Sequence, residues 1–344
     1  MKKKLLILLL FLILYHSEMI TAQSSEPFKL TMQQMFELAE TNSKSIRLFD
    51  IAEKEAQQAV KVAKNASLPS IDIALSTSYL GNGWLTDRNF SNGQSASIPH
   101  FGNNFAIEAS QVIYAGGAIS HNIAKAELAS QLAQYEKEKN RQEIRFFLVG
   151  HYLELYKLCN QTGVYLQNIE QTKRLLFNIK ARQNEGLALK NDITRYELQL
   201  KLLELQLTQI ENSKIILNNQ LATVLGFPPH TRIEIDTSIL NPLPLPLSET
   251  DWQETATISS PLLKQAKLVI EQSKHDEKIV AAERLPSIVL FAADHLDGPI
   301  LIEIPPVNQN FNYWYAGVSL KYNMGSFYKT GRNIKLARLS TQKA

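Results

Sequence analysis

From Ala118 to about Asn184 the sequence contains no Pro, and Gly occurs only at Gly150 and Gly163. Such a stretch reads as one continuous helix, which at 1.5 Å per residue would span roughly 100 Å. Glu185-Gly186-Leu187-Ala188 interrupts it, and a second long helix is expected from about Lys190 to Leu225. Its apolar residues Ile193, Tyr196, Leu200, Leu203, Leu207, Ile210, Leu217, Leu221 and Val224 follow a strict 3-4 spacing broken only by Lys214. That is a coiled-coil seam. A second stripe of Leu198, Leu202, Leu205 and Ile216 lies on another face. Two seams call for neighbours on two sides, as in a closed ring of helices. An earlier helix, 44 to 66, would lie end to end with the one from 190 to 225, and the two together would flank the long one.

Composition adds exclusions. Lys and Arg number 36 against 33 Asp and Glu, so no basic surface points to nucleic acid. The single cysteine, Cys159, cannot close an intrachain disulfide or build a Cys-rich metal site. At the N-terminus, Lys2, Lys3 and Lys4 precede an apolar run from Leu5 to Leu14, and Ile20-Thr21-Ala22 ends in a small residue. These features predict a secretory signal peptide over 1–22, cleaved between Ala22 and Gln23. The run has about half the length of a spanning helix, and no cysteine follows the cut to accept a lipid. An exported chain without a helical anchor is soluble or enters a membrane as β-structure.

Between the helices the period changes. Thr31-Met32-Gln33-Gln34 reads as a capping box opening a short helix to about Glu40, and Asn42-Ser43 precedes a helix from Lys44 that Pro69 stops. From Ser70 to Tyr79, Ile71, Ile73, Leu75, Thr77 and Tyr79 alternate with Asp72, Ala74, Ser76 and Ser78, the two-residue period of a strand. A loop of about two dozen residues rich in Gly and Asn leads to a second strand, Phe105 to Tyr114. Phe105, Ile107, Ala109 and Ile113 share one of its faces, and Gly116-Gly117 turns the chain.

After Gly226-Phe227-Pro228-Pro229, the prolines Pro242, Pro244 and Pro246 mark an extended linker. The pattern then starts again. Ser260-Pro261 opens a helix to Arg284, and Leu285-Pro286-Ser287-Ile288 repeats Leu68-Pro69-Ser70-Ile71 at an offset of 217. Strands follow at 287–296 and 313–322. Gly325 answers Gly116-Gly117, and Arg332-Asn333-Ile334 answers His121-Asn122-Ile123 at an offset of 211. The expected organisation is a signal peptide over 1–22, a first repeat over 23–247 and an incomplete second repeat over 248–344.

Strands of about ten residues have the length that crosses an outer membrane, but four cannot close a barrel, for which eight is the usual minimum. Open edges in lipid leave amides unpaired at several kcal/mol each, so other subunits must complete the sheet. Metalloprotease, nucleophile-elbow and phosphate-loop motifs are absent. His275, Asp276 and Glu277 are helical neighbours pointing about 100 degrees apart, so they do not converge on a site. His151 and Cys159 read as packing residues, and Asp294 and His295 face opposite sides of a strand.

The Leu30-Thr31 opening, the Leu68-Pro69-Ser70 switch, the Tyr114-Ala115-Gly116-Gly117 turn, Gly186-Leu187-Ala188 with Asp192 after it, and Leu225-Gly226-Phe227-Pro228 occur here in order. In this the chain resembles the TolC-type outer-membrane efflux proteins. The fold class the resemblance implies is mainly α with β. Long coiled-coil helices form a periplasmic α-barrel, and four strands per chain contribute to a trimeric 12-stranded transmembrane β-barrel.

The implied function is the exit duct of a tripartite efflux pump for small molecules, or alternatively the outer-membrane component of a type I protein secretion system. The partners would be two further copies of the chain, a periplasmic membrane-fusion (adaptor) protein, an inner-membrane pump and outer-membrane lipid. No cofactor, metal or catalytic residue is implied. By the same resemblance, Asn184, Glu185, Gly186, Leu187 and Ala188 form the adaptor-docking helical tip. Pro69, Gly116, Gly117, Pro286 and Gly325 form the hinges between barrel and helices. Family members continue past the point matching Ala344 with the helices that carry the pore gate, so the resemblance implies a C-terminally truncated copy and assigns no gate residue. An exported coiled-coil scaffold or adhesin would explain the heptads but not the paired strands at matching places in both halves.

Overall fold

The computed structural model describes residues 28–228, 231–236, 248–302 and 306–344. The signal peptide with its Ala22–Gln23 cut, Pro229, and the linker prolines Pro242, Pro244 and Pro246 lie outside the described residues. The chain divides into two compact units. One draws on residues up to Leu48 and on Asn140–Ser248, the other on Phe49–Lys139 and Glu249–Ala344.

The elements follow the periodicity closely. The short strand β1 (Phe28–Leu30) precedes helices α1 (Met32–Asn42) and α2 (Lys44–Lys64). Thr31 opens α1 with a capping box: its hydroxyl accepts the Gln34 amide and its own amide donates to Gln34 Oε1. Strand β2 (Ser70–Tyr79) is followed by a small hairpin, β3 (Gly83–Leu85) and β4 (Gln94–Ala96), inside the region expected to be loop. Strand β5 (Phe101–Ala115) starts four residues earlier than its alternation suggested. The long helices α3 (Ala118–Asn184) and α4 (Lys190–Leu225) have the expected bounds. Then come β6 (Ile233–Ile235), α5 (Glu249–Ser259), α6 (Pro261–Ala282), β7 (Ser287–Gly298), β8 (Phe311–Lys321) and α7 (Ser326–Lys343). Pro261 is the first residue of α6, but the Ser260 side chain makes no capping bond.

The first unit holds a dry core. Leu30, Met35, Ala39, Leu148, Tyr152, Leu155, Leu221, Ala222, Leu225 and Ile233 pack together. The heptad explains the pairing: along α4 the seam residues from Ile193 to Val224 are buried or half-buried, and Lys180 of α3 meets Glu197 of α4 at 2.7 Å. The second stripe, Leu198, Leu202, Leu205 and Ile216, is exposed.

Two elements of this unit escape sequence patterning. β1 and β6 pair in parallel, Phe28 with Ile233 through Leu30 with Ile235. The Tyr152 hydroxyl lies 2.7 Å from the Asp236 carbonyl and 3.1 Å from the Leu30 carbonyl, one proton serving the ends of both strands. Burial, reinforced by the Asp236 charge, raises its pKa. Three-residue strands carry too little alternation to be read from sequence.

The second unit holds a four-stranded sheet of order β2-β5-β7-β8, antiparallel throughout. Its helices pair in the corresponding order. Lys137 of α3 reaches Asp50 and Glu53 of α2 at 2.6 and 3.0 Å, which raises the lysine pKa, chiefly through those hydrogen bonds. Lys125 of α3 meets Asp276 of α6 at 2.6 Å, and Glu277 of α6 meets Arg338 of α7 at 2.7 Å. Asp276 and Glu277 thus go to different partners, as their angular spacing required. His151 bonds the Phe147 carbonyl and Gln220. Cys159, expected to pack, is exposed instead, because it lies off the α3–α4 seam.

Candidate functional site: sheet, junctions and helical tip

Register assigns the paired residues of the four-stranded sheet to its two faces. Ile73, Ile107, Asp294 and Trp314 stand in line across the four strands, as do Ile71, Ala109, Ala292 and Ala316. Leu75, Leu290, Leu296, Val318 and Leu320 extend this face. It is apolar and uncovered among the described residues: Ile73 is 71% exposed, Leu75 73% and Trp314 76%. Its one carboxylate, Asp294, accepts a hydrogen bond from Asn312 Nδ2 at 2.9 Å.

The opposite face carries Asp72, Ser76, Asn104, Glu108, His295, Asp297, Tyr313 and Tyr315 and is internally bonded. Asn104 and Tyr313 both donate to Asp297, the latter at 3.1 Å, and His295 lies 3.3 Å from the Tyr315 hydroxyl and 3.7 Å from Glu108. Asp294 and His295 fall on opposite faces as expected.

The alternation misleads at one residue. A bulge between Val112 and Tyr114 leaves Ile113 without a ladder partner and brings Tyr114 opposite Ile288, so Tyr114 rather than Ile113 continues the apolar face. A bulge changes parity without a sequence signature in this strand.

Helices enter the sheet through proline. After α2, a 3₁₀ turn over Asn65–Ser67 ends with the Leu68 amide on the Asn65 carbonyl, and Pro69 leads into β2. After α6, the amides of Glu283, Arg284 and Leu285 tighten to the carbonyls three residues back before Pro286 leads into β7. Proline supplies no amide and restricts the residue before it to extended backbone, so the helix cannot continue.

The chain leaves β5 through Gly116 (φ +64) and Gly117 (φ +85). At Gly116 a side chain is excluded twice, by the left-handed backbone and because a Cβ would stand 2.7 Å from the Ala282 carbonyl. The exit from β8 is built differently. Gly325 has φ −66, open to any residue, and the turn is made by Asn323, whose Oδ1 accepts the Gly325 amide and whose carbonyl accepts the Ser326 amide. The expectation that Gly325 repeats the Gly116-Gly117 conformation is therefore corrected: an Asn side chain replaces the glycine geometry.

Between α3 and α4, Gly186 (φ +75) closes α3 with paired bonds, its amide to the Gln183 carbonyl and the Leu187 amide to the Arg182 carbonyl. Asn184 ends the helix, Glu185 and Gly186 turn, and Leu187 and Ala188 lead out. The Leu189 amide donates to Asp192 Oδ2, starting α4. Leu187 and Leu189 are exposed, at 73% and 71%.

Comparison with known proteins agrees with this architecture. A sequence model of the family described as outer membrane efflux protein matches residues 35–227. No curated protein sequence matches the chain. The solved outer membrane channel CmeC of Campylobacter jejuni superposes with a TM-score of 0.75 at 15% identity, over 91% of this chain and 65% of that one. The outer membrane protein VceC of Vibrio cholerae gives 0.67 at 16% identity, over 91% and 74%. The open state of the Neisseria gonorrhoeae MtrE outer membrane channel gives 0.68 at 14%, over 91% and 67%. At such identities the likeness is one of fold, and the chain spans 65% of the length of CmeC. The long antiparallel helical pair, the four-stranded sheet with one apolar face and the match over more than half the sequence lead to one assignment: this chain belongs to the outer membrane efflux protein family.

Proposed function

We propose that the chain is a subunit of an outer-membrane exit duct that passes small molecules out of the cell envelope as part of a tripartite efflux system. The carrying observation is the sheet: one face is apolar and exposed, the other polar, and among the described residues edge strands β2 and β8 have no partner on their outer sides. Alternating apolar-out and polar-in strands are what a membrane barrel requires, and edges in lipid must be closed. Three copies would give twelve strands with the polar face toward a lumen. No catalytic step is assigned to the chain.

In this reading Pro69, Pro286, Gly116, Gly117 and Gly325 set the angle between strands and helices, and the exposed stripe of α4 meets a neighbouring copy. The tip from Asn184 to Ala188, with Leu187 exposed, docks a periplasmic adaptor connected to an inner-membrane pump. The exposed Leu187 and Leu189 support that role, since apolar side chains on a turn fixed by paired bonds suit burial against a partner. Fractionation with heat-modifiable gel mobility tests the proposal. A duct subunit is recovered in the outer membrane and migrates as an SDS-resistant trimer until heated. Recovery as a soluble or monomeric species overturns it.

A further inference from the structure

Just past the Gly116-Gly117 turn, His121 on α3 faces His275 on α6 from 154 residues away in sequence. Their Nδ1 atoms are 3.3 Å apart, and their rings meet at 61° with centroids 5.2 Å apart. Two nitrogens bound tetrahedrally at zinc–nitrogen distances of about 2.0–2.1 Å stand about 3.3 Å apart, and rings radiating from that ion have centroids roughly 5.2 Å apart. A linear N–H···N bond between the same atoms would push the centroids to roughly 5.6 Å, given ordinary imidazole dimensions. The nitrogen separation suits either arrangement, and the centroid distance fits convergence on a common point better than a head-on hydrogen bond.

We propose that His121 and His275 form a two-imidazole site for a divalent transition-metal ion of the zinc or copper type, which bridges α3 to α6 beside the strand-to-helix junction. Imidazole selects such ions over magnesium or calcium, which prefer oxygen. No cluster of three His, Cys, Asp or Glu side chains forms among the described residues, so water completes the coordination and binding is reversible.

The nearby charged groups are accounted for. Asp276 is engaged by Lys125, Glu277 by Arg338, and Glu271 by Lys274 at 2.6 Å. Lys278, one turn beyond His275, is the opposing cation. Burial first, then Lys278 and His275, lowers the His121 pKa. The proton competes with the metal for the imidazole, so this shift favours the ligating form even as the lysine charge weakens metal affinity.

The test is calorimetric titration of the full chain, purified in detergent and stripped with chelator, with zinc chloride. The expected result is saturable binding, absent with magnesium chloride. Affinity should fall at least about tenfold in His121→Asn and in His275→Asn, hold in His100→Asn and His151→Asn, and rise in Lys278→Met. Circular dichroism checks that each variant keeps its helices, and the Gln substitution at either position carries the same expectation if the Asn variant does not. Absence of saturable zinc binding by the unaltered chain, or zinc affinity unchanged by substitution of either histidine in a folded variant, overturns the proposal. Neither outcome depends on whether the chain forms a duct.

Discussion

The two compact units put apolar periodicity to opposite ends, a helical heptad in the first and a two-residue strand period in the second. In the first, the seam residues of α3 and α4 close on each other, and Leu148 and Leu221 are fully buried beside Tyr152. In the second, β2 and β8 present an equally regular apolar row that none of the described residues covers, with Ile73 and Trp314 open. Apolar patterning specifies that a surface must leave water. It does not specify what covers it, which is helix against helix in one unit and, on the proposed function, lipid in the other.

Substitutions can break this contrast from either side. The largest expected effect is in the closed unit. Leu148→Ala removes a fully buried side chain from the core and should lower stability by about 2–5 kcal/mol, read as an earlier loss of helical signal in a denaturant series.

Ile73→Lys sharpens the comparison from the other side. Ile73 gains little from contacts within the chain, yet a lysine facing the middle of a bilayer costs about 2–4 kcal/mol. The expected signature is impaired insertion into lipid vesicles with little change in a detergent-solubilised chain. Equal effects in both media would show that the face is covered by protein.

Tyr152→Phe probes the parallel pair that sequence patterning missed. Losing the hydroxyl takes its donor from the part-buried Asp236 carbonyl and one of two donors from the buried Leu30 carbonyl, which keeps the Asp236 amide, and should cost about 1–3 kcal/mol. Its titration gives a companion test. Because the folded-state pKa is raised above the ordinary 10.0, the tyrosine's contribution is complete below that value and is lost as pH rises through the folded-state pKa. The unaltered chain should therefore show a steeper alkaline fall in stability than the Phe variant.

The smallest expected effect is at the helical tip. A Cβ on Gly186 meets nothing within 4 Å, so Gly186→Ala should cost about 1–2 kcal/mol for the left-handed backbone alone. Gly116→Ala adds the close approach to Ala282 and should cost more in the same thermal melt.

Much of this arrangement was legible from residue order. The bounds of α3 and α4, the heptad seam, the capping box at Thr31, the proline switches at Pro69 and Pro286 and the alternation of β2 are local signals, each carried by residues within a few positions of one another. Among the features that were not legible are the pairing of β1 with β6, the β3–β4 hairpin, the bulge at Ile113, the Asn323 turn that replaces glycine at the second exit, and the exposure of Cys159. Each depends on a partner distant in sequence or on geometry without a residue signature. Tyr152 reaches a carbonyl 122 residues away, and Gly116 is required to be glycine partly by Ala282.

What the sequence determined by itself is periodicity: which stretches are helix or strand, which face of each is apolar, and where proline and glycine stop them. Only the tertiary structure decided which apolar faces close within the chain and which remain open, and which side of the sheet gathers the carboxylates, tyrosines and histidine. Period is set by backbone geometry a few residues at a time, whereas burial depends on which surfaces, far apart in the chain, are brought into contact.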